Sequence, residues 1–313
     1  MLSVKALWKQ DLRSAGFYSL KKLFGDGHFS TMSTYRQRWA MFVNFAAQQG
    51  VHNLHSVSLA LVMEYVHHLA NRVKTGDLAV STAVNRLSCC NVVFRSLLGN
   101  DRFYVDPGDF LPQRRYVRTK IPGGLDRSRI IQAIDQLSAA GHHECAIMVF
   151  SWRFVGMRFK EAILQDYQRL QKNINDHGKI NIREGTKNGR GRYIDRWVPV
   201  DSFIVTQIEK ASALQGSRPN LMPVRPVTYI QTTRRVRRQY DQPRKKINLP
   251  HPHDLRAAYS CDRYFALTGF QAPVITGKRL ASKDIDRAAR KIISHELGHS
   301  RPSVCISYLG SAR

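Results

Sequence analysis

The stretch His295-Glu296-Leu297-Gly298-His299-Ser300-Arg301-Pro302-Ser303-Val304-Cys305-Ile306-Ser307-Tyr308 admits two readings. Taken from its first residue it contains His-Glu-x-x-His, the pattern in which two histidines on one helical face hold zinc and the glutamate acts as a base. Taken from its last, it is a histidine followed nine positions later by a tyrosine. The zinc reading fails on its ligands, because a catalytic zinc needs three protein ligands and an open position. In the extended form of the pattern the glycine and third histidine fall where Pro302 and Cys305 stand, and no Asp, Glu or His follows His299. An HExxH zinc metallopeptidase is therefore the minor alternative.

Charge points the same way. Lys and Arg outnumber Asp and Glu by 49 to 23, a formal net charge of +26. Such an excess repels itself unless a polyanion compensates it, and nucleic acid is the commonest polyanion. No run of about 18 apolar residues occurs, so a membrane partner is not expected. The 313 residues, 43% of them hydrophobic, suffice for two domains with a core each. The five cysteines show no CxxC spacing and read as buried thiols in a reducing compartment.

Working outward along the chain, residues 1–30 lack the apolar core of a signal peptide and read as a basic N-terminal arm or a first amphipathic helix. Residues 31–99 are helical throughout. Tyr35, Trp39, Phe42 and Phe45 stripe one helix, Leu61, Tyr65 and Leu69 the next, and Val84, Leu87, Phe94 and Leu97 a third, with Ser81 as its expected N-cap and Gly99 as its stop. Arg36, Arg38 and Arg86 fall on outer positions, as DNA contacts would. Residues 100–124 lose periodicity to Pro and Gly and carry Arg114, Arg115, Arg118 and Lys120, which makes them a basic linker.

In residues 125–313, Asp126 is an N-cap and an apolar helix through Cys145–Phe150 belongs at the centre. Gly156 permits a turn that sets Arg158 at the next helix start. From 179 to 200 the pattern changes to a hairpin with Ile180, Ile182, Tyr193, Ile194, Trp197 and Val198 on its strands and Lys187 near its tip. A helix carrying Arg234, Arg235, Arg237 and Arg238 suits phosphates. Pro252 opens another helix with His253 and Arg256, and 269–283 reads as a loop.

If Tyr308 attacks a phosphodiester, its phenol needs a base or a strong positive field, since an ordinary phenol ionises near pH 10. The pentavalent transition state gathers negative charge on the non-bridging oxygens, which two arginine forks suit. The departing oxygen needs a proton, for which a lysine on a mobile hairpin is suitable. Arg158, Lys187, His253 with Arg256, His299 and Tyr308 supply each part, in that order along the chain.

This ordered set resembles the tyrosine recombinases of the phage-integrase family. Gly156-x-Arg158-x-x-Glu161 resembles the first arginine motif, Thr186-Lys187-Asn188-Gly189 the lysine turn, His253-x-x-Arg256 the second box, and Leu297-Gly298-His299-Ser300 with Tyr308 the closing motif. The resemblance runs from about Thr31 to Tyr308. It implies a mainly α fold with a small β-hairpin (α+β), arranged as a two-lobed DNA clamp of helical core-binding (SAM-like) and catalytic domains.

It further implies a site-specific recombinase or integrase working through a 3′-phosphotyrosyl bond on Tyr308, without metal or nucleotide cofactor. Arg158, Arg256 and His299 would hold the phosphate, His253 act as acid/base and Lys187 as general acid, with Arg190 or Arg192 as alternatives at the lysine position. Glu161 would orient its neighbours. The expected partner is a double-stranded DNA recombination site, bound as a homotetramer on two paired sites with possible accessory DNA-bending proteins, in the cytoplasm at the nucleoid. A non-catalytic DNA-binding relative of the integrase fold and a type IB topoisomerase-like enzyme are the other readings.

Overall fold

The computed structural model describes residues 11–25, 28–223, 227–247 and 249–311, apart from the side chains of 245–247. Residues 1–10 and 26–27 of the segment read as a basic arm lie outside the described residues. The fold is mainly helical with one two-stranded antiparallel sheet. It divides into two compact units, residues 1–115 and 116–313.

The first unit is built on helices Leu12–Phe24, Phe29–Gln48, Leu59–Lys74 and Val80–Leu98. Its core is an aromatic cluster: Phe42 and Trp39 each meet the edge of Phe94 at 5.3 Å between centroids, and Phe42 meets Tyr65 at 5.2 Å. The described part of the supposed arm belongs to this core as an amphipathic helix. Leu12, Ala15 and Leu20 are fully buried, and the Trp39 indole donates to Leu12 O at 3.0 Å. Gly16 is what allows that approach, since a Cβ there would lie 2.0 Å from the indole nitrogen. Ser81 is not an N-cap. The helix already begins at Val80, with Ala79 preceding it, and Gly99 closes it in the left-handed conformation.

The second unit is organised around helix His143–Phe154, buried from Cys145 to its end, against which Arg127–Ala139 and Pro252–Thr268 pack. Asp126 caps the Arg127–Ala139 helix by accepting from the Arg129 N–H at 3.1 Å. The sheet is short. β1, Lys179–Asn181, pairs with β2, Trp197–Pro199, with Ile180 opposite Val198. Tyr193 and Ile194, expected on a strand, are exposed outside it, because residues Lys187–Arg192 coil into a 3-10 turn instead. The 269–283 loop contains a further short helix, Pro273–Thr276. All five cysteines are free and buried.

Candidate active site

Local backbone chemistry delivers each group. The His143–Phe154 helix ends ahead of Gly156, whose φ of +67° turns the chain so closely over Tyr259 that a Cβ would meet its ring at 2.5 Å. Arg158 is thereby set in extended conformation as the N-cap of helix Phe159–Leu164. Three residues on, Glu161 accepts from the Arg158 backbone N–H at 2.6 Å and from its guanidinium at 2.7 Å, closing the helix start with a charged partner.

Arg256, in the Pro252–Thr268 helix, is 2% exposed and donates to two backbone carbonyls, Gly156 O and Leu297 O. Its Nε lies 3.4 Å from the Tyr308 hydroxyl. Helix Lys283–Glu296 stops, and Gly298 at φ +65° turns the chain so that His299 Nε2 comes within 3.3 Å of Tyr308 Oη and 3.4 Å of Arg158. The His253 ring stands 5.3 Å from that of Tyr308, centroid to centroid. Arg158, His253, Arg256, His299 and Tyr308 thus converge from four separate chain segments. The Arg158 side chain is 27% exposed and the Arg256 side chain 2%, so Arg158 is the more open of the two forks.

The charges around them do not balance. Glu161 is fully buried and meets three guanidinium groups, Arg158 at 2.7 Å, Arg196 at 2.9 Å and Arg256 at 3.7 Å. Burial pushes its carboxyl up, but Arg196, Arg256 and Arg158 outweigh that and hold it down at about 2. Three cations against one carboxylate leave two positive charges uncompensated beside Tyr308. Burial, followed by Arg256, Arg158 and Arg196, pushes His299 down to about 3, and burial, followed by Arg256 and Arg118, lowers His253. Both imidazoles are therefore neutral at neutral pH.

That neutrality has a measurable cost in acid. The unfolded chain takes up protons near the ordinary histidine value of 6.5, while folded His299 resists them until about 3. Its contribution is complete above pH 6.5 and is lost as pH falls toward 3. Thermal unfolding of the DNA-free protein is expected to shift to lower temperature between pH 7 and 4, less steeply in His299→Gln; equal slopes would contradict the held-neutral histidine.

Lys187 is exposed on its 3-10 turn, where Asn188 and Gly189 both take positive φ. Gly185 presses this loop against the start of the Phe159–Leu164 helix, since a Cβ there would lie 2.5 Å from Lys160 O. Lys187 and Arg190 line one small cavity with Arg158 and His299, and Arg192 is outside it. Arg190 therefore remains beside Lys187 as a candidate on geometry.

Arg196 was not among the sequence candidates. It is 3% exposed, donates to Glu296 O at 2.5 Å and to Gly156 O at 3.2 Å, and pairs with Glu161. Its only sequence signal is a cation directly before an apolar strand. His295 and His299 do not share a helical face, because the helix ends between them. Glu296 is buried and bound by Arg263 at 2.7 Å and by the Tyr259 hydroxyl at 2.8 Å. Among the described residues no group of three or more His, Cys, Asp or Glu could hold a metal, and no helix is long and apolar enough to cross a membrane.

The basic residues expected to touch DNA differ in how far other groups engage them. Arg118 is engaged by Asp254 and by Lys120 O, Arg235 pairs with Glu144 at 3.4 Å, and Arg36 lies over the Phe17 ring at 4.9 Å. Arg115, Lys120, Arg234 and Arg238 are exposed, as is Arg114. Arg38 and Arg86 line one cleft of the first unit with Gln37, Thr82 and Asn85. Arg237 is exposed over the Phe159 ring and lines a cavity of about 540 Å³ together with Arg158, His253 and Arg256.

No protein-family model and no curated protein matches the sequence. Solved structures do. The chain is similar to the Tn1549 transposon integrase in complex with transposon right end DNA, at 13% identity over 97% of this chain and 96% of that one, with a TM-score of 0.61. It is similar to a lambda integrase dimer bound to a COC′ core site, at 14% identity over 96% and 95%, TM-score 0.55. A lambda integrase tetramer bound to a Holliday junction matches at 14% identity over 93% and 75%, TM-score 0.51. The chain shares the fold of these integrases.

Proposed function

We propose that this protein cuts and rejoins DNA at a specific site through a covalent 3′-phosphotyrosyl bond on Tyr308. The observation that carries the reading is the pair of uncompensated positive charges in a buried site, with the Tyr308 hydroxyl within 3.4 Å of Arg256 and 3.3 Å of His299. A buried cation without a counter-ion is costly, and a phosphate diester supplies the missing charge. Arg158 and Arg256 hold its non-bridging oxygens and stabilise the charge that develops there, and neutral His299 donates a further hydrogen bond.

Tyr308 Oη attacks phosphorus as its proton passes to His253. The bond from phosphorus to the 5′ oxygen breaks, and Lys187 protonates that oxygen as it leaves. The phosphotyrosyl ester retains the energy of the broken bond, so the liberated 5′ hydroxyl of a partner strand can reverse the step without a nucleotide cofactor. Exchange between two duplexes calls for two paired sites and four active centres, hence a homotetramer on DNA. Accessory DNA-bending proteins and a nucleoid location follow from the same reading.

The test is a pool of randomised duplexes with a nick placed to let the short fragment bearing the freed 5′ hydroxyl diffuse away, incubated with the protein in excess chelator. Denaturant-stable protein–DNA adducts on 3′ ends are expected, and sequencing them gives the site. Binding without any adduct would make the chain a DNA-binding relative without catalysis, and chelator-sensitive peptide hydrolysis would restore the zinc reading. Affinity for the recovered site should also fall by about 10³–10⁵ between roughly 50 and 200 mM salt, as expected for about 6–10 phosphate contacts. A shallow dependence contradicts a duplex held mainly by its backbone.

A further inference from the structure

The segment that carries Tyr308 is tied down on both sides by one residue outside the catalytic set. Arg290, in helix Lys283–Glu296, is 6% exposed. Its guanidinium donates to Gly310 O at 3.2 Å and to Ser311 O at 3.3 Å, after the tyrosine. Its backbone carbonyl accepts from Cys305 Sγ at 3.3 Å, before the tyrosine. Asp286, one helical turn earlier, fixes the guanidinium through Nε at 2.9 Å to both carboxylate oxygens and is itself fixed by the Tyr264 hydroxyl at 2.8 Å.

The 269–283 segment completes the seat. Ala272, Pro273 and Val274 are buried, and Gly310, at φ +80°, lies so close that a Cβ would meet the Val274 backbone nitrogen at 2.8 Å. Among the described residues none of these groups hydrogen-bonds to Arg158, His253, Arg256, His299 or the Tyr308 hydroxyl, so they act on the site through the backbone on either side of Tyr308. A buried cation whose two free arms end on the carbonyls just past Tyr308 fixes where that short helix points.

We propose that Arg290, held by Asp286, is the positioning residue for Tyr308, and that Val274 with Gly310 forms the seat against which it holds the tail. The proposal rests on Tyr308 being the nucleophile. Displacing a reacting atom by about 1 Å can cost on the order of 10²-fold in rate without touching affinity. The loss should therefore appear in the cleavage step and not in DNA binding.

The test uses the full chain and single-turnover adduct formation on the nicked DNA recovered above. Arg290→Lys keeps a cation for Asp286 but cannot reach both carbonyls. It is expected to retain the thermal midpoint and the half-saturating DNA concentration while cleaving about 10–100-fold more slowly at saturation. Gly310→Ala, which disturbs the seat and not the cation, should show the same split and faster hydrogen exchange over 306–311. If Arg290→Lys cleaves at the wild-type rate, or if its rate falls while the half-saturating DNA concentration rises in proportion, the positioning role is wrong. If wild type itself forms no adduct, it is the assignment of Tyr308 that fails.

Discussion

Tyr308→Phe is expected to form no covalent DNA adduct, a loss of at least about 10⁴-fold, of the order seen when the nucleophile of a concerted site is removed. Only one oxygen disappears. The ring is 4% exposed and its placement comes from apolar and cation–π packing, with the Arg256 guanidinium 5.6 Å from its centroid and the His253 ring at 5.3 Å. The two hydrogen bonds that the hydroxyl makes are long, 3.3 and 3.4 Å, so little folding energy goes with them. Fold and DNA affinity should therefore persist while chemistry stops. Gel analysis after denaturation reads the adduct, and a mobility shift on the same DNA reads affinity; an adduct that survives in Tyr308→Phe would move the nucleophile elsewhere.

How much of this site the sequence made legible follows from how local each feature is. Gly156, Arg158 and Glu161 could be read together because they form one turn and one helix start, and the structure joins them through hydrogen bonds three residues apart. Gly298 before His299 is legible for the same reason, a helix end that needs a positive φ. Arg196 was not legible, because its partners Gly156 and Glu296 lie 40 and 100 residues away and no spacing rule links them. The structural part that Glu296 plays was not legible either, since it anchors Arg263 and Tyr259 across 33 and 37 residues. The strands were read too long because alternation of apolar residues signals exposure pattern and not hydrogen bonding, and the glycines of 185–191 coil the chain instead.

Glu161 carries the second large effect, on stability. Glu161→Gln keeps the side-chain volume but removes the only carboxylate among the described residues that touches Arg158, Arg196 and Arg256 together, and turns one acceptor into a donor facing a guanidinium. Removing one partner from a buried ionic cluster typically costs about 3–5 kcal/mol, because the remaining charges stay buried without compensation. For a unit of this size each 1 kcal/mol lowers the unfolding midpoint by roughly 2–4 °C, so a drop of roughly 6–20 °C is expected by calorimetry or circular dichroism. The sign of the carboxyl's own titration agrees. Held at about 2, well below its ordinary 4.5, it contributes stability above pH 4.5 that is lost as pH falls through the folded value. A discriminating observation is rescue by anion: DNA, or concentrated inorganic phosphate, should restore part of the lost midpoint in Glu161→Gln and more than it adds to wild type, because the anion then neutralises three arginines where it previously met a surplus of two. If the variant melts with wild type, the three guanidinium groups are not held by this carboxylate, and the charge imbalance on which phosphate binding rests must be compensated by another group.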